Sequence, residues 1–356
     1  MKPTAPFLIA IAALLAAPRC ASAAEATYAL QKTVAIGGEG GFDYLYADSD
    51  ARRLYIPRGS RIDVFDLDSL KMVGDIAGTK SVHGVAIDPA SHHAFSSSQP
   101  VVMWDSRTLA PLGTVTVQGN PDGILFDPAT SRIFVLSHRV PNVTVLDSGD
   151  GRVVGTIDLG GAPEEAASDG KGAVFIDVED KDQVAVVDAR TLKVKARYGL
   201  EGRGGGPGGL ALDTEGRILF CYCHDPATAV IMNADNGNIL DVLPIGRGVD
   251  AAEYDPARRQ AISSQGDGTI TLISETSSGH FAVGQTVATK AGARTSTLDA
   301  KTGRIFTVTA QWAKPTPAPS PKAGAAPAPG RGWSRRGPML PGSFELLVVG
   351  PAAPRS

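Results

Sequence analysis

The sequence predicts an all-β, seven-bladed β-propeller with four antiparallel strands in each blade. Three observations carry that prediction. A hydrophobic residue, an Asp, a short turn and a second hydrophobic run recur with anchors at Asp48, Asp88, Asp127, Asp169, Asp213, Asp255 and Asp299, and Pro follows the Asp at 88, 127 and 255. Successive anchors lie 40, 39, 42, 44, 42 and 44 residues apart, which is the period of a propeller blade. The intervals hold short runs rich in Val, Ile and Phe, punctuated by Gly, Asp, Asn and Pro, as strands and turns require. Outside the leader there is no helical periodicity of useful length.

Residues 1–23 read as a cleavable signal peptide. Lys2 gives a basic start, Phe7 to Ala17 an apolar stretch, and Ala21-Ser22-Ala23 a small-residue cleavage site. The apolar run is about half of a membrane span, so no retained anchor is expected, and Arg19 breaks the pattern that lipoprotein processing at Cys20 would need. The mature chain is expected to start at Ala24 or Glu25 in the periplasm or outside the cell.

The propeller is expected over residues 28–350. Its third copy shows the grammar: an inner strand at Gly123 to Asp127, a turn at Pro128 to Arg132, strands at Ile133 to Ser137 and Val143 to Asp147, and an outer strand at Arg152 to Ile157. Ile124, Phe134 and Val145 are its expected core residues. The third strand returns as runs ending at Asp66, Asp105, Asp188, Asn233 and Ser274. Taken as a set, these Asp and Asn residues are turn caps rather than catalytic groups. Copy seven ends one strand short, at Phe344 to Val349, and Tyr28 to Ile36 has the character of the missing outer strand. Pairing the two would close the ring and leave no free edge, so a monomer is expected.

Cys221 and Cys223 are two apart in one strand, so their side chains share a face. That spacing strains a disulfide, and two buried small apolar residues are the simpler reading. No second Cys/His cluster with zinc spacing accompanies them.

Without Lys2 and Arg19 the chain carries 32 basic against 37 acidic residues, a balance of −5. That sign disfavours non-specific nucleic-acid binding by the whole surface. The exception is an insertion over 311–343, between the second and third strands of copy seven. It is rich in Pro and Ala and holds five basic residues (Lys314, Lys322, Arg331, Arg335, Arg336) and no acid. Such composition favours extended polyproline conformations over a packed core. Trp312 and Trp333, the latter beside Arg335 and Arg336, make it a candidate partner-binding segment.

Propeller geometry opens the start of each inner strand and the end of each second strand on one face. Five residues before each anchor stand Asp43, His83, Asp122, Glu164, Gly208, Asp250 and Arg294. The second strands end at residues that include Arg58, Gln99, His138, Asp177, Cys223, His224 and Gln265. The positions two and four further along the inner strands are mostly apolar, which confines polarity to the mouth. Asp43, His83, Asp122, Glu164, Asp250, Arg294, His138 and His224 therefore form the candidate ligand-binding rim. Three adjacent blades offer His83, Asp122 and Glu164 as a mixed N/O ligand set for a divalent cation, although nothing in the spacing requires a cofactor. His92, His93 and His280 fall in turns and read as surface.

The repeats resemble the YVTN-type propeller repeats of exported bacterial proteins, and the YncE-like group among them. The residues that carry the resemblance are the Gly123–Pro128 phrase GILFDP, the strands VTVLD and VVGTI that follow, and degenerate forms of the naming tetrapeptide: LYIP from Leu54, FVLS from Phe134 and FTVT from Phe306. It spans Tyr28 to Gly350 and implies a seven-bladed, WD40-like fold and an exported binding or surface protein. Single-stranded DNA binding is reported within the group, and related propellers include lactonases and quinone- or metal-dependent enzymes. No catalytic set transfers from them, and the chain has no G-x-S-x-G elbow, phosphate loop or HExxH motif. The expectation is a binding module that uses the mouth and the insertion. The alternatives are an enzyme with His83, His138 or His224 as base or ligand, and a DNA-binding protein.

Overall fold

Strands pair into seven four-stranded antiparallel sheets, and in six of them sequence order is spatial order. Blade three, for example, runs Pro121–Asp127, Arg132–Ser137, Val143–Asp147 and Val153–Ile157. The exception is blade seven, ordered Tyr28–Ala35, Glu345–Pro351, Arg304–Thr309 and Ser296–Asp299. The structure, a computed structural model, describes residues 27–314 and 338–352. The leader at 1–23 lies outside the described residues, as do Trp333, Arg335 and Arg336. Among the described residues no helix is long and apolar enough to cross a membrane, and a single 3₁₀ turn, Glu179–Lys181, is the one helical element.

The N-terminal strand closes the ring as its composition predicts. It pairs antiparallel with Glu345–Pro351 from Tyr28↔Pro351 to Ala35↔Glu345. Tyr28 also fastens blade seven to blade six: its N–H donates to Gln285 Oε1 at 2.8 Å, and Gln285 Nε2 donates back to its carbonyl at 2.7 Å.

A single four-stranded sheet cannot bury both faces, so the apolar core lies between blades. It divides into seven clusters, one for each junction. Phe134 and Val145 are fully buried between blades three and four. Ile124 is only half-buried: it packs against the blade two–three core and also borders the channel. Cys221 and Cys223 are buried as free thiols between blades four and five.

The repeated aspartates are structural, in two ways. Each caps its own turn. Asp88 accepts from the N–H of Ala90, Asp213 from Glu215 and Gly216, and Asp255 from Ala257. Asp66, Asp105 and Asp188 do the same after the third strands, which is how an Asx turn replaces a missing backbone partner. Several anchors then reach the following blade. Asp88 accepts from Ser148 Oγ at 2.7 Å, Asp127 from Ser168 Oγ at 2.6 Å, and Asp213 from Tyr254 Oη at 2.8 Å. One carboxylate oxygen thus sets the turn while the other clasps the neighbouring blade. His93 makes a similar clasp, its Nδ1 2.9 Å from the Ser148 carbonyl, so its reading as a surface residue is corrected.

Candidate functional site: the channel mouth

The residues five before each anchor do meet at one mouth, because the repeat fixes their height in the ring. What the repeat does not fix is their pairing. Asp43 Oδ2 lies 2.7 Å from His83 Nδ1, and the same nitrogen lies 3.2 Å from Asp122 Oδ1. The other oxygen of Asp122 is 3.0 Å from His138 Nε2, which is 2.8 Å from Glu164 Oε2. On the far side Arg294 binds Asp250 through NH1 and approaches Asp43 Oδ1 at 3.5 Å through NH2. An unbroken series, Asp250–Arg294–Asp43–His83–Asp122–His138–Glu164, therefore runs from blade six through blade seven to blade four. Tyr44 Oη donates to the free end, Glu164 Oε1, at 3.3 Å.

Two glycines make room for this. A Cβ on Gly123, next to Asp122, would lie 2.4 Å from the Glu164 carbonyl oxygen. Its absence brings blades three and four close enough for His138 to bridge them. At blade five the mouth position is Gly208, and a Cβ there would lie 2.6 Å from His224 Nε2. The imidazole of His224 occupies the place that a side chain on Gly208 would take.

Charge and burial oppose one another throughout the ring. Asp122, Glu164 and Asp250 are buried. Hydrogen bonds that His138 donates to Asp122 and Glu164 hold its proton, raising the group to about 10 despite burial. Burial would lower His83, but the Asp43 hydrogen bond and the charge of Asp122 outweigh it and raise it. Burial raises Glu164, with His138 opposing, and raises Asp250 well above the carboxylate range, with Arg294 opposing. For Arg294 the attraction of Asp250 and Asp43 outweighs burial, so it stays charged.

The metal set expected from sequence is reorganised. His83, Asp122 and Glu164 do not converge. Instead two sets, each with donor atoms within 4.8 Å of one another, share Asp122: Asp43, His83, Asp122 and Asp122, His138, Glu164. The reason is topological: the end of blade three's second strand reaches the rim between the inner strands of blades three and four.

Four other second-strand ends, Arg58, Asp177, Cys223 and Gln265, do not join the rim. Arg58 is fully buried, its guanidinium 3.6 Å above the Phe344 ring and donating to the Glu39 carbonyl at 3.0 Å. Asp177 turns inward, accepting from the N–H of Glu164 at 3.2 Å and of Glu165 at 2.7 Å. Cys223 and Gln265 are buried.

Polarity is also not confined to the mouth. Below it lies a channel cavity of about 590 Å³, lined in part by Tyr44, Tyr46, Tyr254, Glu165 and Glu253. Burial raises Glu165 well above the carboxylate range and Glu253 to about 8. Glu165 Oε2 accepts from Leu210 N–H at 2.7 Å. The signal was present: Glu165 and Glu253 each stand beside small residues within their inner strands, PEEAAS and VDAAEYD.

The insertion is rooted beside the mouth. Trp312 pairs with Met339 in an antiparallel bridge, and Ala313 N–H donates to the Pro338 carbonyl at 2.9 Å. The Trp312 ring stands 6.2 Å from Phe42, the neighbour of Asp43. Trp312 is thus partly buried against the blade one–seven core rather than fully exposed.

No protein-family model and no curated protein sequence matches the chain. Among solved structures it is similar to U3-55K, with TM-score 0.68 and 13% identity over 88% of this chain and 97% of that one. The WD40 repeats of RRP9 superpose with TM-score 0.67 and 13% identity over 89% and 96%. A chain of the Mitotic Checkpoint Complex gives 0.68 and 14% over 86% and 95%. At these identities the likeness is one of fold: a WD40-like propeller.

Proposed function

We propose that the protein is an exported YVTN-type propeller that acts as a binding module through its channel mouth, and that the mouth holds a divalent metal ion at Asp122, His138 and Glu164. One observation carries this reading. His138 Nε2 has carboxylate oxygens of two residues at 2.8 and 3.0 Å, and it carries at most one proton to share between them. A divalent cation in place of that shared proton would bind all three groups at once. Donors at about 2.1 Å from an octahedral ion are separated by about 3.0 Å along each edge, and these spacings match. One imidazole and two carboxylates suit a borderline or hard divalent ion such as Zn²⁺ or Mn²⁺.

The basic insertion supports a capture role, since it is rooted next to Asp43 and opposite in sign to the rest of the mature chain. Its partner would be anionic. The role is tested on the chelator-treated protein by elemental analysis after metal loading and by titration calorimetry. Loading at one or more equivalents that His138→Ala reduces by at least tenfold in affinity supports the proposal. No uptake at millimolar metal would leave the mouth as a solvated ion-pair ring.

A further inference from the structure

We infer that the mouth is a carboxylate-bridged two-metal site, with Asp122 as the bridge, and that the loaded pair takes an oxyanion such as phosphate. This rests on the metal reading above and extends it to Asp43 and His83. The two donor sets are complete and equivalent in kind: each offers one imidazole nitrogen and one terminal carboxylate, and they share a third ligand. They share it through different atoms. Asp122 Oδ1 faces His83 at 3.2 Å while Oδ2 faces His138 at 3.0 Å. A single ion would use one set and leave the other imidazole between two carboxylates. Two ions, one on each oxygen, satisfy both sets, and carboxylate-bridged ions of this kind stand about 3.5–4 Å apart.

Charge gives the ligand class. The ring contains four carboxylates (Asp43, Asp122, Glu164, Asp250) and one guanidinium (Arg294), so with neutral imidazoles it carries −3. One divalent ion leaves −1, which repels anions. Two give +1, with three protein donors on each ion and coordination positions left for an outside ligand. A phosphate oxyanion can span both ions, and the partly exposed Arg294 supplies a further donor.

The test uses the full chain, stripped with chelator and titrated with Mn²⁺. The inference predicts two equivalents per chain and a spin-coupled Mn²⁺ pair by electron paramagnetic resonance. Asp43→Asn should lower the stoichiometry to one and abolish the coupling, with His83→Ala as a second variant in case the first unsettles Arg294. Inorganic phosphate should bind the two-metal form at least tenfold more tightly than the Asp43→Asn form. One uncoupled equivalent in the wild type overturns the two-metal inference while leaving the single-metal reading intact. No Mn²⁺ uptake overturns both, and two equivalents without phosphate binding overturn the assigned ligand class.

Discussion

Arg52 of blade one grips Asp299 of blade seven with two nitrogens, NH1 to Oδ1 at 2.7 Å and NH2 to Oδ2 at 2.9 Å. The carboxylate is fully buried, and this forked pairing holds it well below the usual range despite that burial. Here the turn-capping aspartate of the last repeat clasps the first blade at the seam of the ring. Asp299→Asn should therefore cost about 2–3 kcal/mol, the scale of lost hydrogen bonds to a charged group. Chemical denaturation measures it, and a loss below about 0.5 kcal/mol would mean that the seam does not depend on this pair.

The other seam fastening is the N-terminal strand. Removing residues up to Ile36 deletes a full ladder, the Tyr28–Gln285 exchange, and the Tyr28 Oη bond to the Gly303 carbonyl at 3.0 Å. The chain left behind has an open edge on blade seven and should aggregate or melt far lower. An unchanged melting curve would contradict closure by this strand. For comparison, Phe134→Ala in the junction of blades three and four should cost about 3–5 kcal/mol as a core truncation.

The channel acids give a pH dependence. Glu253 has an ordinary value of 4.5 when unfolded and about 8 when folded. At pH 4 both states hold the proton and the group is neutral towards stability. As pH rises the unfolded chain loses its proton first, so stability falls between about 4.5 and 8. Glu253→Gln keeps the shape without the charge. It should match the wild type near pH 4 and exceed it by on the order of 2–4 kcal/mol near pH 8.5. Equal stability at both values would show that the channel hydrates Glu253 as water does.

The insertion should be separable from the fold. Replacing residues 316 to 337 with a short Gly/Ser linker keeps the Ala313–Pro338 and Trp312–Met339 contacts, so the melting temperature should stay within a few degrees. Trp312→Ala removes a ring packed on Phe42 and should lower it more. The reverse order would place the structural role in residues 316–337 instead of Trp312.

These sites differ in how far sequence foreshadows them. The propeller and the height of the seven mouth residues were legible because one 40-residue period fixes every offset. Pairing was not. It depends on which second-strand ends reach the rim and on close approaches that Gly123 and Gly208 permit, and neither leaves a periodic trace. Arg58 and Trp312 illustrate the limit. Charge and basic neighbours suggested exposure, but Phe344 covers one and the Trp312↔Met339 bridge folds the other onto Phe42. Glu165 and Glu253 were visible as acids beside small residues in their inner strands, yet the period alone did not place them inside the channel.

The central claim is that the imidazole–carboxylate series at the mouth is a metal site rather than an ion-pair ring. Calorimetric titration of chelator-stripped protein with Mn²⁺, repeated on Asp122→Asn, tests it most directly because Asp122 belongs to both donor sets. The account predicts saturable uptake by the wild type and at least a hundredfold weaker uptake by the variant, with its fold intact by circular dichroism. Equal uptake by both proteins, or none by the wild type, would contradict it.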